Sequence, residues 1–597
     1  MRIKFLANGP IASLGIKPKY RIYINPAYFM MKHYHNLHGN RAYAHKWLLP
    51  DFLANKTAEE IVGHRHIKNS LIGDQVNLLL LPCFVWNMDL QMEVAKLYKE
   101  RVPRGWVVVG GPQLTAHKDP KFFEKYPFID YAVYGDGEKA LSNIIDYLST
   151  GTYKGRQVRL SQSSRKPWVN TVENINGKAH VWPFSIMKDE LYWSTSPYLT
   201  QKTFIRDSLK KLYAEGFTNK HIVFALEFAR GCMYRCVYCD WSQNLTKKVT
   251  RRNFLTHFNK NLTKKVTRRK AEWKIELEFF KELDVSIRET DANFGQWEQD
   301  LEIYNYAKSL YDPKKNFKFV VSNISKKKKN SHHFLVGNGE FGGEVKFSFE
   351  DTEKEPLEAM NRPSLSWPEH QEVIAKVKNK LGAKFERVAI GELMLGSPKQ
   401  SIATFKENFK KLLGEGLKPY LNHWVLLPNS PGADLNYQKK YGIEWKDHYI
   451  FQSHESKNPG PPDSIDDLYK TAQTNPNFYK QTMVWKTNDM EYVDLLTAMI
   501  AGSLTQRTSP FLKKQIIEEH EKAINNHNSP NMSPIVEWLF DFSAGKAKTI
   551  FAKHEKAIEK YGYVVPFVVH KNKLYGNWCW HKFWGVPISN EDLDYKS

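Results

Sequence analysis

Three cysteines carry the most specific chemistry in this chain. In Ala229-Arg-Gly-Cys232-Met-Tyr-Arg-Cys236-Val-Tyr-Cys239-Asp-Trp241, three and then two residues separate the thiols, directly after an apolar run. Thiolates at that spacing can wrap one loop around a four-iron four-sulfur cluster and ligate three of its irons, leaving the fourth open to a chelating ligand. Zinc would want four protein ligands, and no further cysteine or histidine pair stands at the expected distance. The plainer alternative, three buried thiols, has no reason to choose this spacing. Only five cysteines occur in 597 residues, too few for a disulfide framework. Cys83, after an apolar run, reads as a small core filler, and so does Cys579 among tryptophans.

A loop of this kind has to be held at a sheet edge. From 216 to 435 the sequence alternates apolar runs with helical periodicity. Strands are expected at 222–228, 285–290, 317–322, 345–349, 388–395 and 420–427, with helices such as 297–310 and 402–413, which makes a partial (β/α)6 barrel. Residues 1–150 form an earlier alternating region, with strands at 21–26, 76–82, 106–112 and 130–135 and helices at 89–101 and 138–148. That pattern predicts an α/β domain, a doubly wound parallel sheet of Rossmann type. Ligands of such sheets sit beyond the carboxyl ends of the strands, where Gly110, Gly111, Gly135 and Gly137 fall. A polar, aromatic-rich linker follows at 151–215, and a mostly helical carboxyl-terminal domain, a lid over the site, at 436–597. The segment 244–252 (NLTKKVTRR) recurs unchanged at 261–269, and two copies without an apolar face read as one lengthened surface loop.

Hydrophobic residues make up 42% of the chain, enough for a real core, and no apolar run is long enough to cross a membrane. The beginning is too soon interrupted to be a signal peptide, so the expected location is cytoplasmic. A net charge of +23 suits phosphate contacts, but lysines are spread throughout and no nucleic-acid-binding module accompanies them, which argues against a nucleic-acid substrate.

At the cysteine triplet the sequence resembles the radical S-adenosylmethionine superfamily, whose signature loop follows the first strand of a partial barrel. Cys239-Asp-Trp241, Thr290-Asp-Ala-Asn-Phe-Gly295, Met360-Asn-Arg362, Glu392-Leu-Met-Leu-Gly-Ser-Pro398 and Leu426-Leu-Pro-Asn-Ser-Pro431 resemble successive landmarks of its cobalamin-dependent branch. By that resemblance Cys232, Cys236 and Cys239 bind the cluster. Asp291 and Asn293 lie where the amino group of S-adenosylmethionine is held, and Ser348, Glu350 and Arg362 where its ribose and carboxylate are gripped. Read without it, Asp291 and Asn293 form a turn and Arg362 a surface ion pair. Val107-Val-Val-Gly-Gly-Pro112 and Ile129-Asp-Tyr-Ala-Val-Tyr-Gly-Asp-Gly-Glu138 resemble the cobalamin-binding domain that precedes the barrel. The resemblance assigns Trp86, Asn87, Gly110, Gly111, Pro112, Gly135, Gly137 and Glu138 to cobalamin. The Asp-x-His-x-x-Gly ligand motif is absent, since His35 and His38 lack the aspartate. The lower face of the corrin is then expected without a histidine and covered by the 83–86 loop.

The resemblance implies methylation of an unactivated carbon of a small molecule or peptide, with a flavodoxin or ferredoxin as electron donor. The same branch contains cyclising and rearranging enzymes, which fold alone does not separate. RNA methylthiolation would need a second cysteine-bound cluster in the amino-terminal domain, where only Cys83 is present. A regulatory sensor using the cluster or the corrin is the non-enzymatic alternative.

Overall fold

Four consecutive leucines cannot alternate between core and solvent, so the strand Leu78–Pro82 has to be covered on both faces. The computed structural model describes residues 1–6, 11–12, 21–40, 45–50, 56–67, 69–84, 87–153, 156–159, 169–183, 195–214, 216–228, 232, 234–239, 270–291, 293–295, 298–321, 331–451, 464–474, 478–506 and 510–565. Leu78–Pro82 lies within a seven-stranded sheet ordered Lys178–Val181, Thr171–Ile175, Tyr131–Val133, Trp106–Gly110, Leu78–Pro82, Arg2–Phe5, Lys46–Trp47. The five strands from Tyr131–Val133 to Lys46–Trp47 are parallel. The other two form an antiparallel hairpin on one edge, within the stretch that composition alone reads as linker. Leu78 and Leu80 join an apolar layer with helices Ala27–His38 and Gly137–Leu148, while Leu79 and Leu81 join the layer under Ala58–Val62 and Met88–Arg101. Burial of each such side chain contributes about 1.5 to 3 kcal/mol.

The strand expected at 21–26 forms as Arg21–Ile24, but it pairs parallel with Ile222–Leu226 and so extends a second sheet. Ile22 and Ile24 are buried in the same layer as Ile222 and Phe224, which ties the amino-terminal segment to both sheets. The place beside Leu78–Pro82 is taken by Arg2–Phe5, too short a run to be noticed in the sequence.

All six strands expected between 222 and 427 are present. Ile222–Leu226, Ser286–Glu289 and Phe319–Val320 are parallel neighbours, as are Val345–Glu350, Ala389–Leu395 and Lys418–His423. Among the described residues no ladder joins Phe319–Val320 to Val345–Glu350, so they stand as two sheets. In the three-stranded sheet of Val345–Glu350, Ala389–Leu395 and Lys418–His423, Val345, Phe347 and Phe349 enter the core while Lys346 and Ser348 point the other way.

Beyond 436 the helices Tyr492–Gln506, Pro510–Asn525 and Ser533–Tyr561 are joined by an antiparallel hairpin, Glu444–Phe451 with Phe478–Lys486. Leu495, Ile500, Leu539 and Phe540 share one core with Phe347 and Leu393 of that three-stranded sheet and with Phe409 of the helix Ile402–Gly414. Ser533–Tyr561 has proline in its first turn and ends at Gly562, whose φ of 80° suits a residue without Cβ. The described helices include none long and apolar enough to cross a membrane. The 244–269 duplication, the lysines at 326–329 and the 578–584 aromatic cluster lie outside the described residues.

Two buried imidazoles, His448 and His554, and a half-buried one, His423, lie in this core. His423 Nε2 bonds the Val484 carbonyl at 2.8 Å, and the Tyr492 hydroxyl lies 3.4 Å from His448 Nε2 and 3.3 Å from His554 Nδ1. Burial pulls His423 down to about 4 and His554 to about 3, and it holds His448 well below its ordinary value, with His423 adding to the effect. The unfolded chain accepts protons near 6.5 that the folded core refuses, so stability is full above that value and falls as pH drops toward 4. Each histidine can remove about 2 kcal/mol by pH 5. The urea midpoint should therefore be clearly lower at pH 5 than at pH 7, and His554→Gln should flatten that difference. A pH-independent midpoint would contradict the neutral assignment.

Candidate cofactor-binding site

The carboxyl ends of the paired strands Ile222–Leu226 and Ser286–Glu289 are laced together before the cysteines begin. Thr290 donates to the Leu226 carbonyl from its amide at 2.9 Å and from its hydroxyl at 3.0 Å. The Phe228 amide donates to Asp291 Oδ1 at 2.7 Å, and the Asp291 amide donates to Glu289 Oε1. Asp291 and Asn293 are both buried at this edge. Asn293 Nδ2 has no hydrogen-bond partner among the described residues. A buried amide donor left so is costly, and it fits an acceptor supplied by a ligand.

The cysteine loop is held from two sides. The Val237 amide donates to the Met360 carbonyl at 3.0 Å, and the Gly432 amide donates to the Val237 carbonyl at 2.7 Å. A turn closes it, Cys239 N–H to the Cys236 carbonyl at 3.1 Å, and Asn361 Nδ2 donates to the Arg235 carbonyl at 2.9 Å. Cys236 is buried, Cys232 and Cys239 are half-buried, and no disulfide joins the described cysteines. Among the described residues no three His, Cys, Asp or Glu side chains converge closely enough to hold a metal ion. The structure thus sets Cys236 and Cys239 on one turn without gathering all three sulfurs. Residues 229–231, 233 and 240–269 lie outside the described residues.

Arg362 is the hub. Its buried Nη2 lies 3.1 Å from Glu350 Oε1 and donates to the Ser348 carbonyl at 2.9 Å, and its side chain hydrogen-bonds Cys236. Tyr238 donates to Glu350 Oε1 at 3.3 Å and turns its ring toward the guanidinium, 5.9 Å from the centroid. Burial, reinforced by Glu350, pushes the Tyr238 hydroxyl well above its ordinary value, so it stays a donor. Arg362 Nε is buried with no partner among the described residues, a second open donor beside the cysteine loop. The arginine is therefore a buried ion pair, not the surface pair of the plainer reading. Ser348 Oγ is committed elsewhere, donating to Glu392 Oε2 at 2.6 Å, while Glu392 Oε1 lies 3.3 Å from Lys346 Nζ.

The glycine motifs cap the carboxyl edge of the seven-stranded sheet. Asn87 stitches the loop after Leu78–Pro82, accepting from the Phe84 amide at 2.7 Å and donating to the Pro82 carbonyl at 3.0 Å. Trp86 lies outside the described residues. Gly111 has φ 116°, and a Cβ there would stand 2.4 Å from the Cys83 carbonyl oxygen. Its need for glycine therefore comes from the chain's own backbone, whereas the side of Gly110 and Gly137 is open to ordinary contact distance. Gly135 has φ 69°, Gly137 opens the helix Gly137–Leu148, and Glu138 is buried in its first turn. Pro112 offers its carbonyl to Asn429 Nδ2 at 2.8 Å. Cys83 is fully buried and burial pushes its thiol far up, so it is a filler and a poor ligand. His35 packs inside against Ser142 Oγ at 3.0 Å, lowered to about 4 by burial and by His45.

Reading by motif missed Tyr238, Glu289 and Asn429, and did not single out Glu392. Tyr238 lies inside the cysteine motif and Asn429 inside Leu426-Leu-Pro-Asn-Ser-Pro431, so position marked both, but nothing in either residue type did.

The chain is 25% identical over 452 residues to the cobalamin-dependent radical SAM methyltransferase TokK of Streptomyces tokunonensis. It is 26% identical over 474 residues to the 2-(S-pantetheinyl)-carbapenam-3-carboxylate methyltransferase of Streptantibioticus cattleyicolor. Each match covers 74% of this chain and 59% of the relative, so the chain spans well under two thirds of those proteins. Among solved structures, that of the apo cobalamin-dependent S-adenosylmethionine radical enzyme OxsB superposes with a TM-score of 0.54 at 13% identity, over 92% of this chain and 72% of that one. No protein-family model matches. The resemblance to the cobalamin-dependent branch, read from the motifs, is borne out by these relatives, and OxsB shares the fold.

Arg362→Ala should lower the unfolding free energy by about 3 to 5 kcal/mol, because it leaves Glu350 buried without its cation. Arg362→Met combined with Glu350→Gln should cost less than the sum of the two single changes. Strict additivity in urea unfolding would show that the pair does not interact.

Proposed function

We propose that this chain is a cobalamin-dependent radical S-adenosylmethionine methyltransferase acting on an unactivated carbon of a small molecule. The observation that carries the reading is the cysteine loop held against Arg362, whose buried Nε is an open donor, together with a second buried open donor, Asn293 Nδ2, just beyond the strand that pairs with Ile222–Leu226. Similarity to two methyltransferases over most of the chain supports it. On this reading residues 1–150 are the cobalamin-binding domain, 151–215 a linker, 216–435 the radical barrel and 436–597 the carboxyl-terminal domain.

Cys232, Cys236 and Cys239 hold a four-iron four-sulfur cluster. Asp291, Asn293 and Glu350 receive S-adenosylmethionine beside it, with Ser348 lending its carbonyl to Arg362. Arg362 steadies Cys236 and offers Nε to the carboxylate. Asn87, Gly110, Gly111, Pro112, Gly135, Gly137 and Glu138 line the corrin, with Trp86. When bound, these groups supply a 5'-deoxyadenosyl radical and a transferable methyl, while the protein positions the reactants and excludes water. A flavodoxin or ferredoxin supplies the electron. The relative from Streptantibioticus cattleyicolor is named for a carbapenam carboxylate, and this chain's substrate is of the same general kind, a small molecule.

Anaerobic reconstitution should load about four irons, and changing Cys232, Cys236 and Cys239 together to alanine should abolish the cluster absorption. Turnover with substrate should yield 5'-deoxyadenosine and S-adenosylhomocysteine in equal amounts with one methylated product. 5'-Deoxyadenosine without stoichiometric S-adenosylhomocysteine would point to a cyclase or rearrangement enzyme, and iron unchanged in the triple variant would overturn the assignment.

A further inference from the structure

The two candidate cofactor edges belong to different sheets, and one side chain bridges them. Asn429 Nδ2 donates to the Pro112 carbonyl at 2.8 Å and to the Leu114 carbonyl at 2.9 Å. Both N–H bonds of one nitrogen are thereby used across more than three hundred residues of sequence. Asn429 Oδ1 is buried with no partner among the described residues, so this amide is placed for donation alone. Turned over, its oxygen would face two carbonyl oxygens, which fixes its orientation.

Each end of the bridge is stiff. On one side the Cys83 amide donates to the Gly110 carbonyl at 2.6 Å and the Gln113 amide to the Cys83 carbonyl at 3.3 Å. On the other, the Ser430 amide and hydroxyl both bond the Leu427 carbonyl, at 2.9 and 2.8 Å, and the Gly432 amide bonds Val237 between Cys236 and Cys239. Gly432 admits no side chain, since a Cβ would stand 2.9 Å from both the Val237 carbonyl oxygen and the buried Trp424 ring. The path from the Gly110–Leu114 loop to the cysteine loop therefore runs through Asn429 and three further residues.

We infer that Asn429 is a positioning residue that sets the distance between the corrin edge and the cysteine loop, and so couples methyl delivery to radical formation. The inference rests on the proposed function for its catalytic consequence, but the strut itself does not. Near-attack geometry is sensitive on the scale of about 1 Å, which can be worth roughly a hundredfold in rate. Loosening the strut should therefore uncouple the two half-reactions before it affects either cofactor.

Asn429→Asp sets a carboxylate against two carbonyls, and Asn429→Ala, the milder change, removes the donor. In the full chain without cofactors, both should speed amide hydrogen exchange at 110–116 and leave the helix Ser533–Tyr561 unchanged. In the reconstituted holoenzyme both should retain iron and corrin and cleave S-adenosylmethionine, while methylated product per 5'-deoxyadenosine falls about tenfold or more. Gln438→Ala loosens the same loop at Gly432 without touching Pro112 or Leu114, and should keep the product ratio. Unchanged exchange in both Asn429 variants would overturn the strut. Faster exchange with an unchanged product ratio would reduce it to a structural contact and overturn the coupling. Absence of methylated product from the unaltered holoenzyme would sink the functional reading instead, with the exchange result still deciding the strut.

Discussion

A guanidinium removed from water has to be neutralised and hydrogen-bonded or it unfolds its surroundings, and Arg362 imposes that demand on everything near the cysteines. Its partners arrive from separate parts of the chain: a carboxylate and a carbonyl from the end of Val345–Glu350, and a sulfur from the cysteine loop. Delivering Glu350 requires the strand to break register against Ala389–Leu395 and to take φ 65° at a non-glycine residue. Such a conformation costs of order 1 to 3 kcal/mol, and the ion pair offsets it. Strain at this point follows from the need to seat a carboxylate beside the arginine.

The apolar layers explain why that arrangement holds still. Helices Ala27–His38 and Gly137–Leu148 pack in a layer that contains residues of the first sheet and of Ile222–Leu226. The strand Arg21–Ile24 then continues the second sheet from the amino-terminal side. Relative movement of the two sheets would shear a close-packed interior, so the polar contacts at their edges meet on a rigid base.

Periodicity made much of this readable. The runs at 76–82 and 106–112 and the six strands from 222 onward are strong apolar patterns bounded by turn residues, and all appear where the patterns lie. Arg2–Phe5 and Lys46–Trp47 were invisible because two to four residues carry no period. Arg21–Ile24 was legible as a strand but not as to its sheet, since pairing is a tertiary choice. Cysteine spacing announced the site, whereas the Arg362–Glu350 pair and the Asn429 bridge depend on contacts between remote segments. Gly111 is the instructive case. The motif correctly marks a position that tolerates only glycine, but the close neighbour is the Cys83 backbone, a reason no spacing could distinguish from a bound ligand.

The carboxyl-terminal region takes part in the site through backbone bonds, although its sequence reads as a separate lid. The loop after the sixth strand is clamped to the strand Phe478–Lys486: the Val484 amide donates to the Trp424 carbonyl at 3.1 Å, and the Leu426 amide donates to the Thr482 carbonyl at 2.8 Å. His423 adds a bond to the Val484 carbonyl from the preceding residue. Residues 423–426 are therefore bound as an added partial strand, and Asn429 emerges from that anchored segment. An isolated hairpin is barely stable in water, but this one is packed against the helix Tyr492–Gln506, where Trp485 stacks on Tyr492 at 3.6 Å. Stability thus passes from the carboxyl-terminal core through the hairpin to the loop that touches both the Gly110–Leu114 loop and the cysteine loop. Removal of the carboxyl-terminal helices would take away the support of Asn429.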